Sequence, residues 1–197
     1  MKYLPPLFAI LSLAASSALA MAPPRYVEES AVAGVMHVYG GGWEFFVGGG
    51  VAVFDCDSDG RQDLFFAGGT NGAGLFRNQS PTGGVLRFEA LNVEPAGLTE
   101  VSGAYPLDVD GDGRQDLVVI RVGENVLYRG LGECRFERAN ETWTFDGGKA
   151  WSTAFAARWE HEAEWPTLAV GNYVDRDAPG SPFGTCHDNA LYRPKAK

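Results

Sequence analysis

The feature that most constrains this chain is an acidic loop that occurs twice. Residues 55–63 are Asp-Cys-Asp-Ser-Asp-Gly-Arg-Gln-Asp, and residues 108–116 are Asp-Val-Asp-Gly-Asp-Gly-Arg-Gln-Asp. Each copy has carboxylates at loop positions 1, 3, 5 and 9 and a glycine at position 6. Carboxylates this close repel one another unless water or a cation screens them, and Ca²⁺ is the usual cation of flexible all-oxygen loops. The pattern therefore predicts two calcium sites.

The predicted ligands are equivalent in the two loops. They are the carboxylates at positions 1, 3, 5 and 9 and the backbone carbonyl at position 7, with the glycine permitting the sharp turn. In the first loop these residues are Asp55, Asp57, Asp59, Asp63 and Arg61 (carbonyl); in the second they are Asp108, Asp110, Asp112, Asp116 and Arg114 (carbonyl). The alternative is a solvated Asp/Gly turn without metal, which the matching spacing of two copies disfavours.

The loops differ from an EF-hand. That motif needs a glutamate at position 12 and a helix on each side, but position 12 is Phe66 in the first loop and Val119 in the second. The flanks, such as 51–54 and 64–67, are short apolar runs rich in β-branched and aromatic residues, which indicate buried strands. Each loop is therefore predicted to join two strands of a sheet.

The strands around the loops form a repeat of about 50 residues. The first unit has predicted strands at 51–54, 64–67, 75–78 and 86–90; the second at 104–107, 117–122, 125–129 and 135–138; the third at 151–159, 167–170 and 189–193, with no fourth. Further strands are predicted at 26–29 and 44–47. A four-stranded unit with this period indicates a β-propeller blade. The predicted fold is an all-β partial propeller of about three blades, roughly 48–98, 99–148 and 149–197.

The third unit has lost the acidic loop. Aligning its second strand with the others places Trp159, His161 and Ala163 at ligand positions 1, 3 and 5. These side chains do not reproduce an all-carboxylate cation loop. Only two Ca²⁺ ions are therefore predicted, both structural.

The segment 51–64 resembles the FG-GAP/VCBS repeat of integrin-α-type propellers, in which this loop binds calcium between the first two strands of a blade. Four further segments are similar to a cartilage-acidic-protein-like branch that is common among exported bacterial proteins: 75–78, 96–98, 172–175 and 184–193. The resemblance implies a binding or interaction module. Members usually close a ring of about seven blades, so the resemblance also implies a truncated member. In a full ring, 26–29 would complete the last blade.

The first 20 residues predict a secretory signal peptide. Lys2 provides the positive charge, 7–13 is nearly all apolar, and Ala18-Leu19-Ala20 is an A-x-A cleavage site. An uncleaved anchor is the alternative, although the apolar stretch is short for a membrane span. The expected mature domain is 21–197, exported to the periplasm or the extracellular space.

Three cysteines remain in the exported part, at Cys56, Cys134 and Cys186. An odd number leaves at least one unpaired. A Cys134–Cys186 disulfide is one prediction, and small buried thiols are the other. The Cys56 side chain, at position 2 of the first loop, is expected to point away from the metal.

Charge and motifs restrict the function. A net charge of −9 disfavours nucleic acid and anionic membrane as partners. The sequence contains no Gly-x-Ser-x-Gly elbow and no phosphate loop. The expected function is a non-enzymatic module with a protein or carbohydrate ligand. The alternatives are the propeller portion of a carbohydrate- or phospholipid-acting enzyme, or a remnant that needs further blades or self-association to bury its edges.

Overall fold

The computed structural model of the protein describes residues 23–46, 48–161, 163–180 and 183–195. Its eleven strands are β1 (Val51–Phe54), β2 (Asp63–Phe66), β3 (Gly74–Asn78), β4 (Phe88–Leu91), β5 (Val101–Leu107), β6 (Asp116–Arg121), β7 (Val126–Gly132), β8 (Arg135–Arg138), β9 (Ser152–Arg158), β10 (Thr167–Asn172) and β11 (Ala190–Tyr192). The predicted signal peptide at 1–20 lies outside the described residues. None of the helices in the described ranges has the length and hydropathy needed to cross a membrane.

The strands form three antiparallel sheets in chain order. The first sheet is β1-β2-β3-β4, the second is β5-β6-β7-β8, and the third contains β9, β10 and β11 with β10 in the centre. Phe54 pairs with Asp63 in the first sheet, and Leu107 pairs with Asp116 in the second. Each acidic loop therefore closes the hairpin between the first two strands of its sheet. The predicted all-β fold, a partial propeller of about three blades with an incomplete third, is confirmed.

Two predicted strands at the N-terminal end are wrong. The segment 26–29 has no β-pairing among the described residues, and it is followed by a helical turn, α1 (Ser30–Ala33), which ends at Gly34 with φ of 84°. In the predicted strand at 44–47, residues 44 and 45 instead belong to a 3₁₀ turn, Trp43–Phe45, and residue 47 lies outside the described residues. A short strand is stable only beside a paired neighbour, and no described residue of either segment forms a β-pair.

The hydrophobic core lies between the sheets. Leu117 and Val119 of β6 pack towards the first sheet, with Phe65 and Leu75. The alternate residues of β6, including Val118, pack towards the third sheet. Side chains alternate between the two faces of a strand, so the middle sheet is covered on both sides. This explains why the middle sheet's second strand is almost continuously apolar.

The outer face of the first sheet is partly covered by the chain itself, since His37 stacks on Phe66 with ring centroids 5.5 Å apart. Val51 and Val53 of β1 are about half exposed, whereas Ala52 and Phe54 on the opposite face are buried. Trp151 is buried in the core. The stack of sheets thus ends in one partly exposed apolar face at its first sheet.

Candidate functional site

The carboxylate at position 1 accepts hydrogen bonds from backbone N–H groups of its own loop and so stabilises the turn. In the first loop, Asp55 accepts hydrogen bonds from the backbone N–H groups of Asp59 (3.1 Å) and Gly60 (2.8 Å). In the second loop, Asp108 accepts from Asp112 (3.1 Å) and Gly113 (2.9 Å). Charged acceptors make strong hydrogen bonds to backbone N–H groups. The two loops therefore share the same pattern of internal hydrogen bonds from the position-1 carboxylate.

The first loop's position-9 carboxylate is fully buried and ties the loop to the third strand of its sheet. Asp63 accepts hydrogen bonds from the N–H of Cys56 (2.8 Å) and of Asn78 (2.7 Å). Burial raises the pKa of Asp63, and the two N–H donors act in the opposite direction. A buried carboxylate of this kind is held by donors on two separate segments, so it fixes their relative position.

Asp116 has the same role in the second loop. It is fully buried and accepts from the N–H of Val109 (2.7 Å) and of Gly130 (2.8 Å). Burial raises the pKa of Asp116 to about 6, against the opposing effect of its two N–H donors. Sequence analysis predicted this residue only as a metal ligand. In the structure it also links the second loop to β7 through its two hydrogen bonds.

Three of the predicted carboxylates converge in each loop. Oxygen atoms of Asp55, Asp57 and Asp63 lie within 4.8 Å of one another, and the equivalent three residues of the second loop, Asp108, Asp110 and Asp116, meet the same limit. Burial, followed by repulsion from Asp59, raises the pKa of Asp57. Converging carboxylate oxygens are the donor set that Ca²⁺ prefers, so these residues fit a calcium ion.

The position-5 aspartates have a different environment. Asp59 forms an ion pair with the side chain of Arg61, and Asp112 pairs with Arg114 at 3.0 Å. The sequence assigned the two arginines only a carbonyl role. In both loops, the arginine side chain instead partly neutralises the carboxylate two residues before it.

A further arginine distinguishes the second loop from the first. Arg129 of β7 lies 2.8 Å from Asp110 and 3.2 Å from Asp112. The equivalent Arg77 of β3 pairs at 2.7 Å with Glu89 of β4. The two arginines occupy matching sequence positions, so no sequence signal separates them. The first loop therefore keeps more of its negative charge for a cation.

The glycine at position 6 has a left-handed backbone in both loops. Gly60 has φ of 84° and Gly113 has φ of 83°, and a Cβ at either position would meet no atom within 4 Å. The only penalty for a side chain there is backbone strain, about 1–2 kcal/mol for an L-residue.

We expect Gly60→Ala to lower the free energy of unfolding by about 1 kcal/mol in calcium-free buffer, measured by urea denaturation. Gly60→Asn is the matched control, because asparagine tolerates the left-handed region better. A loss as large for asparagine as for alanine would contradict a strain-based explanation.

Comparison with protein families agrees with this geometry. The family model described as an FG-GAP-like repeat matches residues 55–119. Residues 55–119 are therefore similar to an FG-GAP-like repeat. The matched range begins at the first ligand position of the first loop and extends through the second loop into β6. No curated protein matches the chain.

A disulfide that sequence analysis did not predict joins the first acidic loop to the turn between β7 and β8. Cys56 is bonded to Cys134, with their Cα atoms 4.6 Å apart and both residues buried. The predicted Cys134–Cys186 bridge is therefore wrong, as is the alternative of buried thiols, and Cys186 is exposed and free. The turn between β7 and β8 lies directly against the first loop, where the Cys134 N–H donates to the Cys56 carbonyl at 3.0 Å.

Loop position 2 is consequently an inter-blade contact in both copies. Cys56 is bonded across from the first sheet to the second, and Val109 at the same loop position packs in one cluster with Leu168 of the third sheet. Sγ of Cys134 lies 3.7 Å from Asp63. Because the two sulfurs are bonded to each other, they are not thiolate ligands, and their proximity to Asp63 does not form a metal site.

In the third sheet, the segment at the place of the acidic loop carries other contacts. Glu160 accepts a hydrogen bond from the Thr167 hydroxyl at 2.8 Å and pairs with Arg193. Trp159 is exposed. The segment therefore keeps the hairpin position of an FG-GAP loop without its row of carboxylates.

Proposed function

We propose that this chain is an exported calcium-binding FG-GAP repeat protein that acts as a binding or interaction module and not as an enzyme. The observation that carries the proposal is the convergence of three carboxylates within 4.8 Å in each of the two acidic loops. Carboxylate groups held this close by backbone N–H donors leave a concentrated negative charge that a hard cation neutralises. We further propose that it belongs to the cartilage-acidic-protein-like branch of FG-GAP/VCBS proteins.

The proposed role of the ions is structural. Asp63 links the first loop to β3, and Asp116 links the second loop to β7. A Ca²⁺ ion bound to these carboxylates would offset the cost of burying their charges. Bound calcium would therefore stabilise the blades themselves, while the ligand, a protein or a carbohydrate, would contact the exposed surface of the sheets.

Three observations support export. The Cys56–Cys134 disulfide joins two blades within the core, and such structural disulfides persist in oxidising compartments. The N-terminal sequence has the charge, apolar stretch and cleavage pattern of a signal peptide. FG-GAP repeats are typical of extracellular proteins, where calcium is abundant enough to fill even weak sites.

A pair of ligand variants tests the proposal. Asp57→Asn and Asp110→Asn are each expected to reduce calcium binding by one ion per chain, because each removes a charged ligand from one loop. Binding is measured by equilibrium dialysis against labelled Ca²⁺. Asp177→Asn, the same chemical change at an exposed residue outside the loops, is the control and should bind as much calcium as the parent. Unchanged stoichiometry in both loop variants would contradict the proposed sites.

A further inference from the structure

The disulfide and the first acidic loop share a residue. Cys56 stands between two of the candidate ligands, Asp55 and Asp57. Its backbone N–H donates a hydrogen bond of 2.8 Å to Oδ2 of a third, Asp63. The sulfur of the same residue is bonded to Cys134, in the turn between β7 and β8. The cross-link is therefore attached at the centre of the three converging carboxylates.

The second loop has the equivalent carboxylates without a cross-link. Val109 occupies position 2, and its N–H donates to Asp116 at 2.7 Å, as Cys56 does to its own buried aspartate. Valine has no sulfur to bond, and its side chain is buried in an apolar cluster. The second loop is therefore a reference, within the same chain, for any effect of the disulfide on the first.

The intact bond holds the first loop from outside. Cys56 is attached to the turn before β8 by the disulfide and by the hydrogen bond of 3.0 Å from the Cys134 N–H to the Cys56 carbonyl. A group that is already held in its bound position loses less conformational freedom when a partner binds. The disulfide therefore favours cation binding by the ligands on either side of Cys56.

Reduction changes the surroundings of Asp63 most directly. Both cysteines are buried, and two unbonded sulfur atoms need a longer separation than two bonded ones, so at least one residue has to move. Sγ of Cys134 lies 3.7 Å from Oδ2 of Asp63. A thiol can donate a proton to that oxygen, whereas a disulfide sulfur has none to donate. The thiol would then compete with a cation for the carboxylate.

We propose that the Cys56–Cys134 bond controls the calcium affinity of the first loop, so that its reduction weakens this site and leaves the second unchanged. The inference rests on the calcium sites of the proposed function. A dithiol supplies two electrons and two protons, the Sγ–Sγ bond breaks, both sulfurs become thiols, and the dithiol is left as a cyclic disulfide. Because coupling between two equilibria is reciprocal, bound calcium makes the same bond harder to reduce by the same factor.

Calorimetric titration of single-site proteins with Ca²⁺ tests the effect on affinity. Asp110→Asn reports the first site and Asp57→Asn reports the second. Both carry Cys186→Ser, which removes the exposed free thiol. Dithiothreitol is expected to raise the dissociation constant of the first site about tenfold, within the usual range of couplings between sites, and to leave the second unchanged. Near-ultraviolet circular dichroism verifies that the reduced chains are folded.

The outcomes of the titration separate this inference from the proposed function. An unchanged affinity at the first site, or an equal loss at both sites, would overturn the coupling and leave the calcium sites in place. Absence of calcium binding by both oxidised proteins would overturn the proposed function and the coupling together.

The reciprocal measurement begins from the oxidised chain. Proteins carrying Cys186→Ser are equilibrated in mixtures of reduced and oxidised dithiothreitol, and their thiols are trapped by alkylation and counted by mass spectrometry. Saturating calcium should raise the ratio of reduced to oxidised dithiothreitol at half-reduction about tenfold. Asp110→Asn should keep this shift and Asp57→Asn should lose it. A shift that survives Asp57→Asn, or no shift in the chain with both loops intact, would overturn the proposal.

Discussion

Asp116→Ala is expected to lower the free energy of unfolding by about 3 kcal/mol, even in the presence of a chelator. The fully buried carboxylate accepts the N–H groups of Val109 and Gly130. Its removal leaves two buried donors without an acceptor, at a cost of about 1–3 kcal/mol for each. Urea denaturation with excess chelator measures this loss separately from any effect of calcium.

Two variants serve as controls for this experiment. Asp112→Ala removes a carboxylate of the same loop whose ion pairs, to Arg114 and Arg129, lie near the surface. Exposed ion pairs contribute about 0–1 kcal/mol, so this loss should be well below that of Asp116→Ala. Asp116→Asn keeps one acceptor oxygen and should lie between the two. If Asp112→Ala and Asp116→Ala lowered the free energy of unfolding equally, the stabilising role of the buried carboxylate would be contradicted.

Reduction of the Cys56–Cys134 disulfide is expected to lower the free energy of unfolding by about 4 kcal/mol. The bond joins two residues that are 78 positions apart in sequence, and a cross-link over a loop of this length restricts the unfolded chain by about that amount in the chain-entropy account. It also joins the first two sheets next to the core. Urea denaturation with and without dithiothreitol provides the measurement.

Cysteine variants distinguish this disulfide from the exposed thiol. The double variant Cys56→Ser with Cys134→Ser should be destabilised by a similar amount and should no longer respond to dithiothreitol. Cys186→Ser changes only the free, exposed cysteine and should match the parent in both conditions. A double variant as stable as the oxidised parent would show that the link does not support the fold.

The strands of the first two sheets were predictable because the same pattern of apolar runs around an acidic loop occurs in two copies. Each acidic loop is bounded by short apolar runs that alternate on a two-residue period or are continuously apolar, and these runs became β1, β2, β5 and β6. The sharp turn of each loop could also be predicted from the sequence, because the glycine at position 6 adopts a left-handed backbone at Gly60 and Gly113. Local patterns of this kind specify hairpins without knowledge of the remaining chain.

Contacts between repeats were not predictable in the same way. The Cys56–Cys134 bond depends on how the first sheet packs against the second. The pairing of Arg129 with the second loop depends on which of several nearby carboxylates the arginine side chain contacts. The alignment of repeats makes Cys56 equivalent to Val109, and it makes Arg129 equivalent to Arg77. The failed prediction at 26–29 has a related cause, since an outer-strand sequence forms a strand only beside a third strand with a free edge.

Calorimetric titration of the chelated protein with Ca²⁺ tests the central claim most directly. We expect two ions per chain, the first bound more tightly at Asp55–Asp63, because a cation in the second loop competes with Arg129 for Asp110. Arg129→Gln should bring the two affinities closer together. Absence of binding at calcium concentrations on the order of 1 mM, which fill even weak extracellular modules, would contradict the proposal that these acidic loops are calcium sites.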